Sequence, residues 1–133
     1  MKIYVYVNER KIAKRFSEGI KEYEKRLSKY CKISWQTFKN EEMLSRKIRS
    51  RSHCIVISKN GPSLRSEEFA RKINDFAISG TSELTFVVGG NVADVDETIE
   101  LTPMEIDIGL ETLLLFEQLY RAYRIIHNEP YHK

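Results

Sequence analysis

Apolar positions along the chain follow two alternating periods. Residues 3–7 (Ile3, Tyr4, Val5, Tyr6, Val7) form a short apolar run that predicts a first strand. Over 11–29, Ile12, Phe16, Ile20, Tyr23 and Leu27 recur at helical spacing, with Lys and Arg filling the other side. Residues 33–38 alternate apolar and polar, as a half-buried strand does. Residues 40–50 predict a short basic helix with Met43, Leu44 and Ile48 inward. Residues 54–57 (Cys54, Ile55, Val56, Ile57) are continuously apolar, the mark of a strand buried on both faces.

The turn Asn60-Gly61-Pro62-Ser63 precedes a second long helical pattern. Ser66 reads as its N-cap and Glu67 and Glu68 as its first turn. Phe69, Ile73, Phe76 and Ala77 form its apolar stripe, and Gly80 sits past its end as a C-cap. Residues 84–88 predict another buried strand, running into Gly89-Gly90. Residues 101–108 are short, mixed and interrupted by Pro103. Residues 109–126 form a last helix. Leu110, Leu113, Leu114, Leu115, Phe116, Leu119, Tyr120, Tyr123, Ile125 and Ile126 make it apolar nearly all round. Such a helix is buried on several sides, and a second copy of the chain is the simplest cover. Strand and helix alternate with buried short strands, so the predicted class is α/β with a parallel sheet.

A length of 133 residues fits one domain. No apolar run approaches the roughly 20 residues that span a bilayer. The start of the chain is too short and polar for a signal peptide. These features predict a cytoplasmic protein with no membrane partner. Cys31 and Cys54 are not at metal-ligand spacing and read as inert core thiols. Charge changes the picture more. Residues 1–72 carry 19 Lys/Arg against 8 Asp/Glu, whereas residues 73–120 carry 10 Asp/Glu and no Lys or Arg. That segregation points the first half of the chain at a polyanion, against the plainer reading of a solvated charged surface.

Candidate chemistry is sparse. Gly89-Gly90 follows a strand, where ligands of open α/β sheets bind. No G-x-G-x-x-G and no G-x-x-x-x-G-K-[ST] is present, so a Rossmann site or P-loop is not expected. His53, His127 and His132 are not spaced for zinc, and no metal is expected. His53 opens a strand and reads as structural. The tail Asn128-Glu129-Pro130-Tyr131-His132 is either a frayed end or a functional segment; its proline and aromatics are unusual for a mere solvated terminus.

Three stretches carry a resemblance across the whole chain. They are Glu22-Tyr23-Glu24-Lys25-Arg26-Leu27, Val87-Val88-Gly89-Gly90, and the last fifteen residues, Leu119-Tyr120-Arg121-Ala122-Tyr123-Arg124-Ile125-Ile126-His127-Asn128-Glu129-Pro130-Tyr131-His132-Lys133. With them the chain resembles the SPOUT-class, or α/β-knot, methyltransferases, and within that class the ribosomal RNA large subunit methyltransferase H family. The resemblance implies a single three-layer domain over residues 1–133 with a deep C-terminal trefoil knot, and a homodimer. It implies S-adenosylmethionine held by Ile57 and Ser58, by Gly89 and Gly90, and by Thr102, Pro103, Met104, Glu105, Ile106 and Asp107. The implied reaction is methylation of the ring N3 of a pseudouridine in large-subunit ribosomal RNA, within the subunit or the assembled ribosome. His132 is the candidate base, since imidazole titrates near neutrality. Tyr131 is a candidate to stack on the target base. Arg121 and Arg124, with Lys25, Arg26, Arg46 and Lys47, are candidates to grip RNA phosphates. The chain departs from the family where Asn91-Val92-Ala93 replaces a Pro-Glu-Gly-like turn and Asp107-Ile108 replaces a Pro-His pair. The alternative reading is a non-catalytic relative that binds RNA or the ribosome.

Overall fold

The computed structural model describes residues 1–131. Five strands and four helices alternate: β1 (Lys2–Val7), α1 (Lys14–Leu27), β2 (Lys32–Thr37), α2 (Glu41–Lys47), β3 (His53–Ile57), α3 (Ser66–Ile78), β4 (Glu83–Val88), β5 (Glu97–Ile99) and α4 (Ile108–Ile126). The strands form one sheet in the order β2-β1-β4-β3-β5. Every pairing is parallel; Val5 sits opposite both Trp35 and Phe86, and Ile55 opposite both Phe86 and Glu97. The α/β expectation therefore holds. β4 lies at the centre and all six of its residues are buried, Glu83 and Thr85 among them, as in a strand covered on both faces.

The helices are distributed unevenly. On one face α4 lies between α1 and α3. There Ile3, Val5, Val7, Ile55, Leu84, Phe86 and Val88 of the sheet meet Ile20, Leu27, Phe69, Ile73, Leu115, Phe116 and Leu119 of the helices. The opposite face has only the seven-residue α2 and the segment after β4. Leu44 and, in part, Ile48, Val92 and Val95 pack there on Tyr6, Phe38, Val56 and Val87. Both cysteines are buried. Burial, with Asp96 and Asp94 nearby, pushes the Cys54 thiol up to about 11.

Several local expectations change. Met43 stays 44% exposed rather than turning inward, and Ala77 is exposed while Ala70 takes the core position on α3. Ser66 is the first residue of α3 and not its cap. The Arg65 N–H instead donates to Glu68 Oε1 at 2.8 Å, and the Ser66 hydroxyl donates to Gln118 Oε1 of α4 at 2.7 Å. Gly80 ends α3 as expected, at φ +86°, with the Thr81 N–H returning to the Phe76 carbonyl at 2.9 Å. β5 was not predicted. Its pairing with β3 is a long-range event that makes a strand of Glu97-Thr98-Ile99. His53 fastens this edge: Nε2 lies 2.6 Å from Glu97 Oε2 and the ring packs on Phe76 at 4.7 Å. Burial opposes the Glu97 charge, but Lys72 and His53 outweigh it and hold the carboxyl below its usual range.

α4 buries one face only within the chain. Thr112, Leu115, Phe116, Leu119, Ala122 and Tyr123 are buried, but Leu110 and Ile125 remain 38% and 39% exposed. No helix among the described residues is long and apolar enough to cross a membrane.

Candidate functional site

The three loops that the resemblance assigns to a cofactor all leave the carboxyl ends of neighbouring strands. They meet there through backbone and short side-chain contacts. The Ser58 N–H donates to the Ile99 carbonyl at 2.9 Å, fixing the exit of β3 beside the exit of β5. Lys59, next in the chain, pairs with Glu105 of the third loop. Gly89 adopts φ +82°, and a Cβ built on it would lie 2.9 Å from Ile108 Cδ1. Glycine is thus required at that turn by both backbone and space. Within the third loop the Thr102 hydroxyl accepts from the Met104 N–H at 3.2 Å, and Met104 is 70% exposed. Asp107 ends the loop by capping α4, its Oδ1 accepting from the N–H groups of Gly109 (2.7 Å) and Leu110 (3.2 Å). That carboxylate neutralises the helix's own N-terminus.

Two side chains that the sequence reading did not single out hold the glycine turn. Asn8, just past β1, donates through Nδ2 to the Gly89 carbonyl at 3.1 Å. Glu41, the first residue of α2, accepts the Asn91 N–H on Oε2 at 2.8 Å. A proline at position 91 has no N–H to offer, so Glu41 serves the residue that this chain has instead. The nearest cavity, about 160 Å³, lies behind the third loop between Leu64, Phe69, Ile99, Leu101 and Leu114. It is smaller than the roughly 300–1,000 Å³ of sites that enclose drug-sized ligands.

The tail is not splayed into solvent. After Ile126 the chain turns at Asn128 (φ +54°) and runs back along α4. Arg124 Nε donates to the Pro130 carbonyl at 3.0 Å, and its Nη1 pairs with Glu129 at 3.3 Å. The Tyr131 hydroxyl donates to Glu117 Oε2 at 2.6 Å, and the Arg121 guanidinium lies 4.2 Å above its ring. Burial first, and the Glu117 carboxylate second, hold that phenol protonated well above its ordinary range. Arg121 also pairs with Glu117 at 3.0 Å. Arg121 and Arg124, two of the arginines expected on RNA, are therefore engaged within the tail's own anchorage. His132 lies outside the described residues.

The remaining basic candidates stand at the amino-terminal end of the sheet, away from the three loops. In a parallel α/β unit a helix that begins at a strand's carboxyl end finishes near its amino end. Lys25 and Arg26 occupy the last turn of α1, and Arg46 and Lys47 that of α2. Arg26 pairs with Glu22 at 3.0 Å and Arg46 with Glu42. Lys25 and Lys47 have no carboxylate within 4 Å among the described residues. The 19 residues of α4 separate the loops from the root of the tail by about 28 Å.

Comparison with known proteins finds one family over nearly the whole chain. A family model described as a predicted SPOUT methyltransferase matches residues 1–132. The chain is 43% identical to "Ribosomal RNA large subunit methyltransferase H 1" of Thermoanaerobacter sp. (strain X514) over 133 residues, the full length of both. It is 36% identical over 146 aligned positions to "Ribosomal RNA large subunit methyltransferase H" of Desulforamulus reducens, covering 90% of this chain and 91% of that one. The protein of that name from Clostridioides difficile is 35% identical, with 86% and 89% covered. With its parallel sheet, its glycine turn at the end of the central strand and its anchored aromatic tail, the chain belongs to the SPOUT methyltransferases, among relatives named as ribosomal RNA large subunit methyltransferases H.

Proposed function

We propose that this protein methylates the ring N3 of a pseudouridine in large-subunit ribosomal RNA with S-adenosylmethionine. The observation that carries the reading is the convergence of three strand-exit loops on a glycine at φ +82° in a chain of this family. The residues suit the cofactor. Ile57 and Ser58 offer backbone at one wall, Gly89 and Gly90 at a second, and Thr102, Pro103, Met104, Glu105, Ile106 and Asp107 at the third. The cofactor supplies a methyl group already activated as a sulfonium. Glu105 and Asp107 put negative charge near that cation, although Lys59 and the helix N-terminus claim part of it. The protein's own work is then to place the base and take a proton from its ring nitrogen.

The chain is proposed to act as a homodimer, with the tail of one subunit completing the pocket of the other. Two features support this. Leu110 and Ile125, near the two ends of α4, are left uncovered. Tyr131 is fixed at the level of Glu117, about 14 Å along α4 from Ile108, and so does not reach its own glycine turn. The knot belongs to the same proposal. β5 passes beyond β3, and its exit lies against the loop after β3. The Glu100 N–H donates to the Pro62 carbonyl at 3.0 Å, and a Cβ on Gly61 would meet the Thr98 backbone at 2.5 Å. The chain then re-enters between α1 and α3.

Calorimetric titration with S-adenosylmethionine, followed by mass spectrometry of nucleosides from treated ribosomes, tests the reading. A specific site and a new methylpseudouridine are expected. Folded protein that binds no cofactor, with or without ribosomes, is instead a non-catalytic RNA-binding relative. Glu41→Ala is expected to weaken cofactor binding by roughly tenfold, the size of one lost charge-assisted hydrogen bond. Unchanged affinity in that titration removes Glu41 from the cofactor site.

A further inference from the structure

We infer that the amino-terminal end of the sheet carries a second RNA contact, a lysine-lined groove that holds the phosphate backbone of the substrate away from the cofactor loops. The inference rests on ribosomal RNA being the substrate, as proposed above. Two grooves of about 590 and 770 Å³ adjoin there and share Lys2, Ser28, Cys31 and Lys32 as a common wall. Lys21 and Lys25 of α1 line one, and Lys29 and Arg51 the other. All six cations are exposed. Among the described residues, Lys2, Lys21, Lys25 and Lys32 have no carboxylate within 4 Å. Lys29 has only Glu129, at 3.9 Å.

The acids of the grooves do not cancel this charge. They are Glu24 and Glu83. Glu83 is 2% exposed, and Arg49 at 3.6 Å and Arg51 at 3.5 Å face its two oxygens. Around the third cofactor loop the sign is opposite. Residues 100–111 hold four carboxylates and no Lys or Arg. A polyanion is therefore drawn to the groove and turned away from that loop of the same subunit. Flexible, strongly hydrated ammonium groups suit a chain of phosphates better than the dry core of a protein interface, where lysine is depleted. Tyr4 and Ile33, half-buried in the groove wall, give an unpaired base an apolar surface. The groove also starts at the root of the tail, through the Lys29–Glu129 pair. A tail that enters the partner's pocket thereby brings its own groove up to that pocket.

The test compares wild type with a Lys21→Glu/Lys32→Glu protein and an Arg71→Glu control, whose exposed arginine lies on α3. Filter retention of isolated large-subunit ribosomal RNA across a salt series gives affinity and slope. The double variant is expected to bind at least about tenfold more weakly, with the log–log salt slope reduced by about 1–2. Its titration with S-adenosylmethionine should match wild type, and Arg71→Glu should retain the RNA as wild type does. Wild-type binding by the double variant overturns the groove, and so does an equal loss in Arg71→Glu, which would make the effect one of net charge. If wild type methylates ribosomes and the double variant binds unchanged, the groove alone falls. If wild type neither retains the RNA at any salt nor methylates ribosomes, the substrate reading falls with it.

Discussion

A Gly89→Val protein is expected to be less stable by about 1–3 kcal/mol and to lose S-adenosylmethionine affinity by roughly a hundredfold. Two independent penalties meet at this residue. The backbone sits at φ +82°, where a β-branched side chain is strained at a cost of about 1–3 kcal/mol. The new Cβ would also lie 2.9 Å from Ile108 Cδ1. Ile108 is the first residue of α4 and cannot retreat freely, because Asp107 locks that end with two hydrogen bonds. The relief is a shift of the turn away from the other walls of the proposed cofactor site. A displacement on the order of 1 Å at such a site is enough for a loss of about a hundredfold. Thermal unfolding and calorimetric titration read the two effects separately. Lowered stability with wild-type affinity would show that the turn does not line the cofactor site.

His132→Ala is expected to slow methylation at saturating cofactor and ribosomes by about 10²–10⁴-fold, the range of a lost general base. Cofactor affinity should not change. In the proposed reaction the pseudouridine N3–H loses its proton, and Tyr131 is poorly suited to take it, because burial and the bond to Glu117 keep its hydroxyl protonated. Tyr131 is then a positioning residue that holds the tail against Arg121 and Glu117. The pH profile separates the roles. The wild-type rate should rise through the neutral range as an imidazole loses its proton, and Tyr131→Phe should keep that profile at a reduced rate. A His132→Ala protein that methylates at the wild-type rate refutes the assignment.

The sheet was legible where hydrophobicity is local. β3 announces itself as a continuous apolar run, β4 as an apolar stretch broken only by Thr85, and α1 as a stripe from Phe16 to Leu27. β5 was not, since only Ile99 of its three residues is apolar and its partner β3 lies about forty residues back. Ser66 has the right side chain for a cap, yet α3 begins one residue earlier than that reading allows. A contact with Gln118, fifty-two residues away, claims its hydroxyl. The same limit hid Asn8 and Glu41. They reach the glycine turn across 81 and 50 residues, and no spacing rule connects them to it. The tail's proline and aromatics do show in sequence that the segment is held. That Arg121 and Arg124 do the holding follows from the neighbouring acids and carbonyls, not from their charge.

The thin cover on the second face of the sheet sets an order of opening. β4, enclosed by β1 and β3 and by core on both faces, should be the last segment to exchange its amide hydrogens with water. α2, seven residues anchored chiefly by Leu44, should be among the first. Glu41 stands at the start of that helix, so the clasp on Asn91 is mounted on one of the most easily detached parts of the molecule. Each brief detachment of α2 frees the Asn91 side of the glycine turn, and the lifetime of a ligand in the proposed site there would follow the opening rate of a two-turn helix.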